Sequence, residues 1–334
     1  MSLPSSTRNA RIAVVIPCFR VRQHILQVIA AIGDEVQQIF VVDDACPDQS
    51  GKWVVEQCRD PRVEVLFHEV NLGVGGAVMT GYRHAIATGA DVIVKIDGDG
   101  QMDPALLPRF ARPILRGDAD YTKGNRFYDL RHIARMPGKR LFGNAVLSFM
   151  AKFSTGYWDI FDPTNGYTAI SARLAQVLPQ ERISQRYFFE TDLLFRLGTL
   201  RAVVMDVPMD ANYGDEVSNL KIGSVLGEFL SKHVGNFGKR LFYNYLLRDL
   251  SVASLELLFG VALLLFGTSY GAYHWWQSIA TGQGAPTGTI MLAAMPVLVG
   301  LQLVLAFLAY DIASVPRHPI SDRLGDDRLP DCVR

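Results

Sequence analysis

The chain has 334 residues, 49% of them apolar, and its 33 Lys and Arg balance 33 Asp and Glu, so the formal net charge is zero. A nucleic-acid partner is not expected, because general nucleic-acid binders need an excess of basic side chains to neutralise phosphates. The four cysteines show neither metal-ligand nor disulfide spacing, which is typical of a reducing compartment.

Short apolar strands alternate with helical segments in the first part of the chain. Residues 12–16, 38–42, 63–67 and 91–96 are predicted strands, and residues 74–88 have a helical pattern. Continuous apolar strands joined by helical crossovers indicate an α/β fold with a mostly parallel sheet. Ligands of such sheets bind beyond the carboxyl ends of the strands. Two of the four predicted strands end in aspartates, which makes those ends candidate sites.

The most specific motif is KIDGDGQMDP at residues 95–104, where an apolar strand gives way to a loop. Asp97, Asp99 and Gln101 are spaced by two, and such oxygen ligands suit a hard divalent cation, Mg²⁺ or Mn²⁺, which would also hold a diphosphate. An EF-hand is excluded, because the required glutamate and the twelve-residue register are missing.

Two further motifs follow the second and third predicted strands. In VVDDACPDQS, Asp43 and Asp44 can accept hydrogen bonds from a nucleoside base or ribose, although aspartate is also common at helix caps and turns. NLGVGGAVMTG, at residues 71–81, is a glycine-rich turn that opens a helix. Val78 stands at the last glycine position of the dinucleotide fingerprint, so a nicotinamide dehydrogenase is not expected.

Together these segments resemble the family 2 glycosyltransferases of the GT-A fold, and within them the membrane-tethered polyprenyl-phosphate branch. The resemblance covers residues 11–221 and implies a GT-A (Rossmann-like) domain with a divalent metal cofactor, Mg²⁺ or Mn²⁺. It assigns metal contacts to Asp97, Asp99 and Gln101. It assigns contacts with the donor nucleotide to Pro17, Phe19, Asp43, Asp44, Asn71, Gly73 and Asp97.

Segments farther along the chain match the acceptor side of the same family. GNRF at 124–127 and KRLFGN at 139–144 resemble its two arginine segments, and by this match Arg126, Arg140 and Asn144 hold the phosphate of a lipid acceptor. Guanidinium groups suit this task because they bind phosphate oxygens in pairs. DPTNGY at 162–167 and FFETDLLFR at 188–196 resemble segments that carry carboxylates. The candidate catalytic carboxylates are Asp99, Asp162, Glu190 and Asp192.

Three departures from the family pattern concern the donor side. Arg20 and Val21 stand where the family has Asn-Glu, and VDDAC replaces VDDGS at residues 42–46. The later segment YGDEVSNLK, at 213–221, lacks the family's arginine. These differences leave open the nucleoside contacts, the closing of a loop over the donor, and the identity of the sugar.

Two stretches near the C-terminus predict a membrane hairpin. Residues 252–273 and 289–310 are each 22 residues long and contain a single charged side chain, Glu256. About 20 residues suffice to cross the hydrocarbon core. A buried hairpin in a soluble core is the alternative, but such helices usually carry a polar stripe that is missing here. Trp275 and Trp276 follow the first stretch, as in an interfacial aromatic belt.

Lys and Arg residues flank this hairpin on both sides, and the connecting residues 274–288 contain no Lys, Arg, Asp or Glu. The positive-inside rule then predicts an integral protein of the inner (plasma) membrane with its catalytic domain and both termini in the cytoplasm. Residues 137–156 and the basic segment 221–249 are predicted amphipathic helices on the cytoplasmic leaflet; for the latter, packing on the catalytic domain is the alternative. The predicted organisation is a catalytic domain at 1–220, juxtamembrane helices at 221–249, two transmembrane helices within 250–311, and a cytoplasmic tail at 312–334.

The resemblance implies inverting transfer of one hexose from a UDP- or GDP-sugar to a membrane polyprenyl phosphate. The product would be a lipid-linked sugar donor for envelope glycans or protein glycosylation. The alternatives are another lipid or polysaccharide acceptor, or a degenerate membrane-tethered scaffold that binds nucleotides. The QxxRW motif of processive synthases is absent from the sequence. Two predicted spans in each chain leave room for a homo-oligomer.

Overall fold

A computed structural model of the chain describes residues 10–128, 138–210 and 222–324, apart from the side chains of residues 139, 140 and 222–226. The segment 213–221, one of the three departures, lies outside this part. The chain divides into two compact units, Met1–Asn236 with Pro316–Arg334, and Phe237–Val315. The first unit carries the sheet and the predicted site segments, and the second carries the two long apolar helices.

The first unit is built on a seven-stranded sheet with the order β3-β2-β1-β4-β6-β5-β7. The first four strands pair in parallel, and β7 is parallel to β5, whereas β6 is antiparallel to both β4 and β5. The predicted mostly parallel sheet is therefore confirmed. The strands are β1 (Ile12–Cys18), β2 (Gln38–Asp43), β3 (Val63–Phe67), β4 (Val92–Lys95), β5 (Tyr121–Asn125), β6 (Thr168–Ser171) and β7 (Val204–Pro208).

Helices connect these strands and continue into the second unit. The predicted helix at 74–88 is α3, and the predicted surface helix at 137–156 is α5. The helices are α1 (Ile25–Ala30), α2 (Ser50–Gln57), α3 (Val74–Ala87), α4 (Leu107–Leu115), α5 (Gly138–Thr155), α6 (Ala172–Val177), α7 (Phe189–Leu200), α8 (Ile222–Leu241), α9 (Val252–Thr281) and α10 (Thr287–Ala313).

The strand β1 is apolar throughout because helices cover both faces of the sheet. Val14 and Ile16 of β1 belong to one buried cluster with residues of α1 and α4. Val15 points to the opposite face and meets α3 so closely that a Cβ added at Gly81 would lie 2.3 Å from its Cγ1. Unbroken apolar strands are typical of such doubly covered parallel sheets.

The chain after α10 returns to the first unit. Asp120, fully buried just before β5, accepts hydrogen bonds from the backbone N–H groups of Val203, Ile320 and Ser321 and from the Ser321 hydroxyl. Residues 320 and 321 fall in the segment predicted as a cytoplasmic tail. This part of the tail is built into the first unit, where it satisfies a buried carboxylate.

The second unit contains α9 and α10, two helices that are long and apolar enough to cross a membrane. Both are longer than the 22-residue stretches of the sequence. The first continues through Trp275 and Trp276 as far as Thr281, and the second runs from Thr287 to Ala313. Gly282 ends the first in the left-handed conformation, with φ of 67°, which glycine adopts without a steric penalty. Glycines at 260, 267 and 300 bring the two backbones close together, as is typical of helix pairs in membranes.

A buried ion pair joins two elements of the second unit. Arg240, near the end of α8, places Nη1 2.6 Å from Oδ1 and Nη2 3.0 Å from Oδ2 of Asp311 in the last turns of α10. Tyr245, in the π-helical turn Phe242–Arg248, donates its hydroxyl to the same carboxylate. Arg240 and Asp311 are each 2% exposed, so each charge depends on its partner.

Candidate active site

The loop after β4 presents Asp97, Asp99 and Gln101, the predicted metal ligands. The Oδ1 atom of Asp99 accepts the N–H of Gln101 at 3.0 Å, which holds the two residues side by side. Within the described residues, no group of three or more His, Cys, Asp or Glu side chains forms a self-sufficient metal site. The carboxylate and amide oxygens nevertheless fit Mg²⁺ or Mn²⁺, since Mg²⁺ is commonly held by one or two carboxylates together with substrate phosphates and water.

A buried lysine lies below this loop. Lys95, the last residue of β4, has Nζ 2.7 Å from Oδ1 of Asp97 and 3.9 Å from Oε1 of Glu190 on α7. Burial by itself lowers the pKa of Lys95, but the two carboxylates outweigh burial and the pKa is raised. Burial raises the pKa of Glu190, and the lysines at 95 and 123 only partly counteract it.

A second buried lysine lies on β5. Lys123 donates a hydrogen bond to the backbone carbonyl of Asn165. Burial lowers the pKa of Lys123 to about 8, with Glu190 and Asp162 acting in the opposite direction. Lys95 and Lys123 are both register partners of Thr168 on β6, so the two lysines lie on the same face of the sheet.

The segments after β1 and β2 meet at the predicted nucleotide pocket. Pro17 pairs with Val42 in the sheet, and Phe19 beyond it has an exposed side chain. Arg20 has a left-handed backbone, with φ of 59°, and its N–H donates to Sγ of Cys46 at 3.1 Å. Arg20 and Cys46, which both differ from the family pattern, are therefore in direct contact.

The two aspartates of VDDAC hold backbone N–H groups of neighbouring turns. Asp43 accepts the N–H groups of Cys46 and Gly51, both at 2.7 Å. Asp43 and Asp44 are 4% and 3% exposed. Their buried carboxylates thus shape the loop that would surround a nucleoside.

Asp44 joins this loop to the glycine-rich turn. Its carboxylate accepts the N–H groups of Leu72 and Gly73 at 2.8 and 2.7 Å and contacts Nδ1 of His68, while Asn71 donates to its backbone carbonyl. Gly73 has φ of 87°, and a Cβ there would lie 2.5 Å from the carbonyl oxygen of Gln185. Only glycine fits this turn, because both its backbone conformation and the available space exclude a side chain.

Arg126, the predicted acceptor arginine, is paired with a predicted catalytic carboxylate. Its Nε lies 2.7 Å from Oδ2 and its Nη2 2.9 Å from Oδ1 of Asp162, whose side chain is completely buried. Asp162 also accepts bonds from the side chains of Thr164 and Asn165. The geometry makes Asp162 the partner that orients the guanidinium.

The other predicted acceptor residues lie on α5. Asn144 is partly buried there. The backbone of Arg140 is helical, but its side chain lies outside the described part of the chain.

The two acids of the ETD sequence on α7 have different surroundings. Glu190 faces the lysine of β4, whereas Asp192 accepts the N–H of Ser184 at 2.8 Å and the side-chain amide of Asn236 at 3.1 Å. Asp192 is 4% exposed. The contacts of Asp192 hold together parts of the first unit, whereas Glu190 lies beside Lys95 of β4.

The sequence patterns do not single out Lys95, Lys123 and Asp206, which are buried or partly buried ionisable residues of β4, β5 and β7. A lysine that ends an otherwise apolar strand was an available signal for Lys95. Asp206 of β7 accepts the side-chain amide of Asn125 at 2.9 Å and the N–H of Phe161 at 3.3 Å. Its other oxygen, Oδ1, is buried and has no hydrogen-bond partner within the described residues. Burial raises the pKa of Asp206 to about 6.

Comparison with known proteins finds a matching family profile and a set of relatives. The profile of glycosyl transferase family 2 matches residues 13–178. Undecaprenyl-phosphate mannosyltransferase from Micrococcus luteus is 28% identical over 222 residues, which cover 65% of this chain and 90% of that protein. UDP-N-acetylglucosamine–dolichyl-phosphate N-acetylglucosaminyltransferase from Methanococcus voltae is 27% identical over 216 residues, covering 60% of this chain and 86% of that protein.

A solved structure has a related fold. Glucosyl-3-phosphoglycerate synthase from Mycobacterium tuberculosis, in complex with Mn²⁺, UDP and glucosyl-3-phosphoglycerate, matches with a TM-score of 0.53. The identity is 20%, and the match covers 70% of this chain and 82% of that chain. At this identity the likeness concerns the fold alone, and it confirms the predicted GT-A-like α/β architecture.

Proposed function

Because the chain carries a glycosyltransferase family 2 domain, we propose that it transfers one hexose from a UDP- or GDP-sugar to a membrane polyprenyl phosphate, with inversion at the anomeric carbon. The two relatives are named for undecaprenyl phosphate and dolichyl phosphate as acceptors, which supports this acceptor class. The proposal makes the product a lipid-linked sugar, available as a donor for envelope glycans or protein glycosylation.

One observation carries the proposal: the donor and acceptor segments leave the same edge of the sheet. β4 and β5 are both antiparallel to β6, which lies between them, so β4 and β5 run in the same direction. The loop with Asp97 and Asp99 follows β4, and Arg126 follows β5. A diphosphate held at the first and a phosphate held at the second would lie across one strand from each other.

On the donor side, the turns tied together by Asp43 and Asp44 would hold the nucleoside. Asp97, Asp99 and Gln101 would hold a divalent cation. Bound there, the cation would stabilise the negative charge of the departing nucleoside diphosphate. The protein's own contribution is to present hard oxygens on a loop whose geometry the Asp99–Gln101 hydrogen bond maintains.

On the acceptor side, Arg126 would bind the lipid phosphate. Asp162 restrains the guanidinium with two hydrogen bonds, so the arginine is oriented before substrate arrives, which favours bidentate recognition of phosphate oxygens. A phosphate nucleophile is already anionic at neutral pH and requires no strong base. In this mechanism Asp162 orients Arg126 and does not take a proton.

An exposed apolar face of α5 suits an acceptor that stays in the bilayer. On α5, Phe142, Val146 and Phe149 recur at helical spacing and are 73%, 41% and 60% exposed. Such a face is typical of a helix that lies on a membrane surface. The two apolar helices of the second unit are long enough to keep the chain in the membrane, and both features support delivery of the enzyme to its lipid substrate.

A lipid-transfer assay tests this function. Purified full-length protein in detergent is given undecaprenyl phosphate, Mg²⁺ or Mn²⁺, and radiolabelled UDP- and GDP-sugars, and the organic phase is counted. One labelled lipid product is expected from one donor. Asp99→Ala should abolish it, whereas Asp118→Ala, at an exposed position before β5, should not.

Two other outcomes would overturn the proposal in different ways. Metal-dependent nucleotide binding without any lipid product would indicate another acceptor. Failure to bind any nucleoside diphosphate would contradict the nucleotide-sugar donor itself. Full activity of Asp99→Ala would contradict the metal assignment alone.

A further inference from the structure

The ammonium of Lys95 forms an ion pair with one carboxylate oxygen of a predicted metal ligand. Its Nζ lies 2.7 Å from Oδ1 of Asp97. The lysine side chain is only 2% exposed, whereas that of Asp97 is 30% exposed. The lysine ammonium therefore approaches Asp97 from the buried side of the loop, and Asp97 is the partner that reaches the surface. A positive charge built into the chain is already bound where a divalent ion would be expected.

The other oxygen of Asp97 is closely packed. A Cβ added at Gly166 would lie 2.7 Å from Oδ2 of Asp97 and 2.5 Å from Nζ of Lys95. Gly166 is not among the residues with positive φ, so its backbone does not require glycine. The missing side chain instead leaves room for the Lys95–Asp97 pair, and the NGY segment holds that pair in place.

The position of Lys95 is further determined by the charge on α7. Glu190 Oε1 lies 3.9 Å from Nζ, so the lysine has carboxylates on two sides, one from its own loop and one from a separate helix. The second lysine on this face, Lys123, donates to the backbone carbonyl of Asn165 instead. Of these two buried lysines, Lys95 is thus the one that pairs with Asp97.

We propose that Lys95 is a positioning residue that prevents Asp97 from binding a divalent cation on its own, so that the cation binds only together with the nucleoside diphosphate. This inference rests on the proposed function. Without nucleotide, a divalent ion near Asp97 meets the positive charge of Lys95 and a carboxylate with one oxygen already engaged. The diphosphate adds negative charge and further oxygen ligands, which offset both disadvantages.

Mn²⁺ binding without nucleotide tests this role independently of turnover. Full-length protein in detergent is titrated with Mn²⁺, and the free ion is measured by electron paramagnetic resonance, with and without UDP or GDP. In the wild type, nucleotide should strongly tighten Mn²⁺ binding. Lys95→Met removes the competing charge, and it should tighten nucleotide-free Mn²⁺ binding by about tenfold or more, since a positive charge a few ångströms away repels a divalent cation.

Gly166→Ala provides a second route to the same result. Its added methyl group would press on both the Lys95 ammonium and the Asp97 carboxylate, so it should separate the pair without removing either charge. Nucleotide-free Mn²⁺ binding should tighten, but by less than in Lys95→Met. Lys52→Met, at an exposed position of α2, is the matched control and should bind Mn²⁺ as the wild type does.

The outcomes separate this inference from the proposed function. If Lys95→Met melts like the wild type but binds Mn²⁺ equally or more weakly without nucleotide, the inference is wrong. If Lys95→Met does not fold, Gly166→Ala decides by the same criterion. Absence of a lipid product from the wild type would count against the proposed function, while the comparison of nucleotide-free Mn²⁺ binding would still stand.

Discussion

The guanidinium of Arg126 and the buried carboxylate of Asp162 form a two-point ion pair between residues 36 positions apart in the chain. The arginine is partly exposed, at 27%, and the aspartate is not exposed at all. The buried partner therefore fixes the orientation of the accessible one. This relationship determines how the acceptor side of the site should respond to substitution.

Asp162→Asn should impair acceptor binding without affecting the donor. Loss of a charge-assisted bidentate pair is worth about 1.5–3 kcal/mol, or roughly a tenfold to hundredfold effect, and it should appear in the KM for polyprenyl phosphate. Arg126→Ala should do the same, and the double variant should be no worse than the single ones. The measurements are lipid-transfer kinetics and the Kd for the nucleotide. A large fall in kcat at unchanged KM would instead assign Asp162 a role as a base.

Ala45→Gly should stabilise the first unit slightly. Ala45 has φ of 52°, and a left-handed backbone costs an L-residue about 1–2 kcal/mol, against about 0.5–1 kcal/mol for the greater flexibility of unfolded glycine. A rise in Tm of about 1–3 °C is expected for a domain of this size. Thermal unfolding of both proteins in the same detergent measures this difference. A lower Tm for the variant would contradict the assumption that the left-handed backbone of Ala45 destabilises the wild type.

Asp206→Asn should flatten the pH dependence of stability. The pKa of Asp206 is raised to about 6 in the folded chain, above its usual value of about 3.9 when unfolded. Its ionised form is therefore disfavoured in the folded state, and the contribution of Asp206 to stability falls as the pH rises from about 4 through 6. The variant lacks this loss, so the difference in Tm between variant and wild type should grow in its favour from pH 4 to pH 7.5.

The matched comparison for this experiment is Asp118→Asn, because Asp118 is exposed. Its Tm should follow that of the wild type at every pH. If Asp206→Asn gives a Tm curve parallel to the wild type, the raised pKa of Asp206 is wrong.

Replacing one partner of the Arg240–Asp311 pair should destabilise the second unit more than replacing both. Deleting one partner of a buried ion pair leaves an uncompensated charge, which typically costs about 3–5 kcal/mol. Asp311→Leu and Arg240→Met should each lower the unfolding temperature in detergent, and the double variant should recover much of the loss. Purely additive effects of the two substitutions would show that the charges do not depend on each other.

Much of the fold could be predicted because its signals are local. The strand at 63–67 was predicted with the bounds it has as β3, and the helix at 74–88 ends one residue earlier, at Ala87. The ends of the apolar helices were harder to locate, because hydropathy falls at Trp275 while the backbone continues as helix to Thr281. Helix ends depend on capping residues such as Gly282, which hydropathy does not detect.

The predicted site residues differ in how far the sequence could determine their surroundings. The Asp99–Gln101 contact follows from a spacing of two within one loop. The pairing of Arg126 with Asp162 joins two motifs from different connections, and the contact between Lys95 and Glu190 joins β4 to α7. A single sequence gives each motif separately. It does not show that the charged side chain of one motif forms an ion pair with that of another.

The hydrogen bonds of Asp120 have a consequence for biosynthesis. Three of its partners are supplied by Ile320 and Ser321, about 200 residues downstream. A ribosome must therefore complete both apolar helices before the carboxylate beside β5 acquires these donors. We expect the first unit to reach its final stability only after the hairpin has been synthesised, so that a chain truncated before Ile320 lacks these donors.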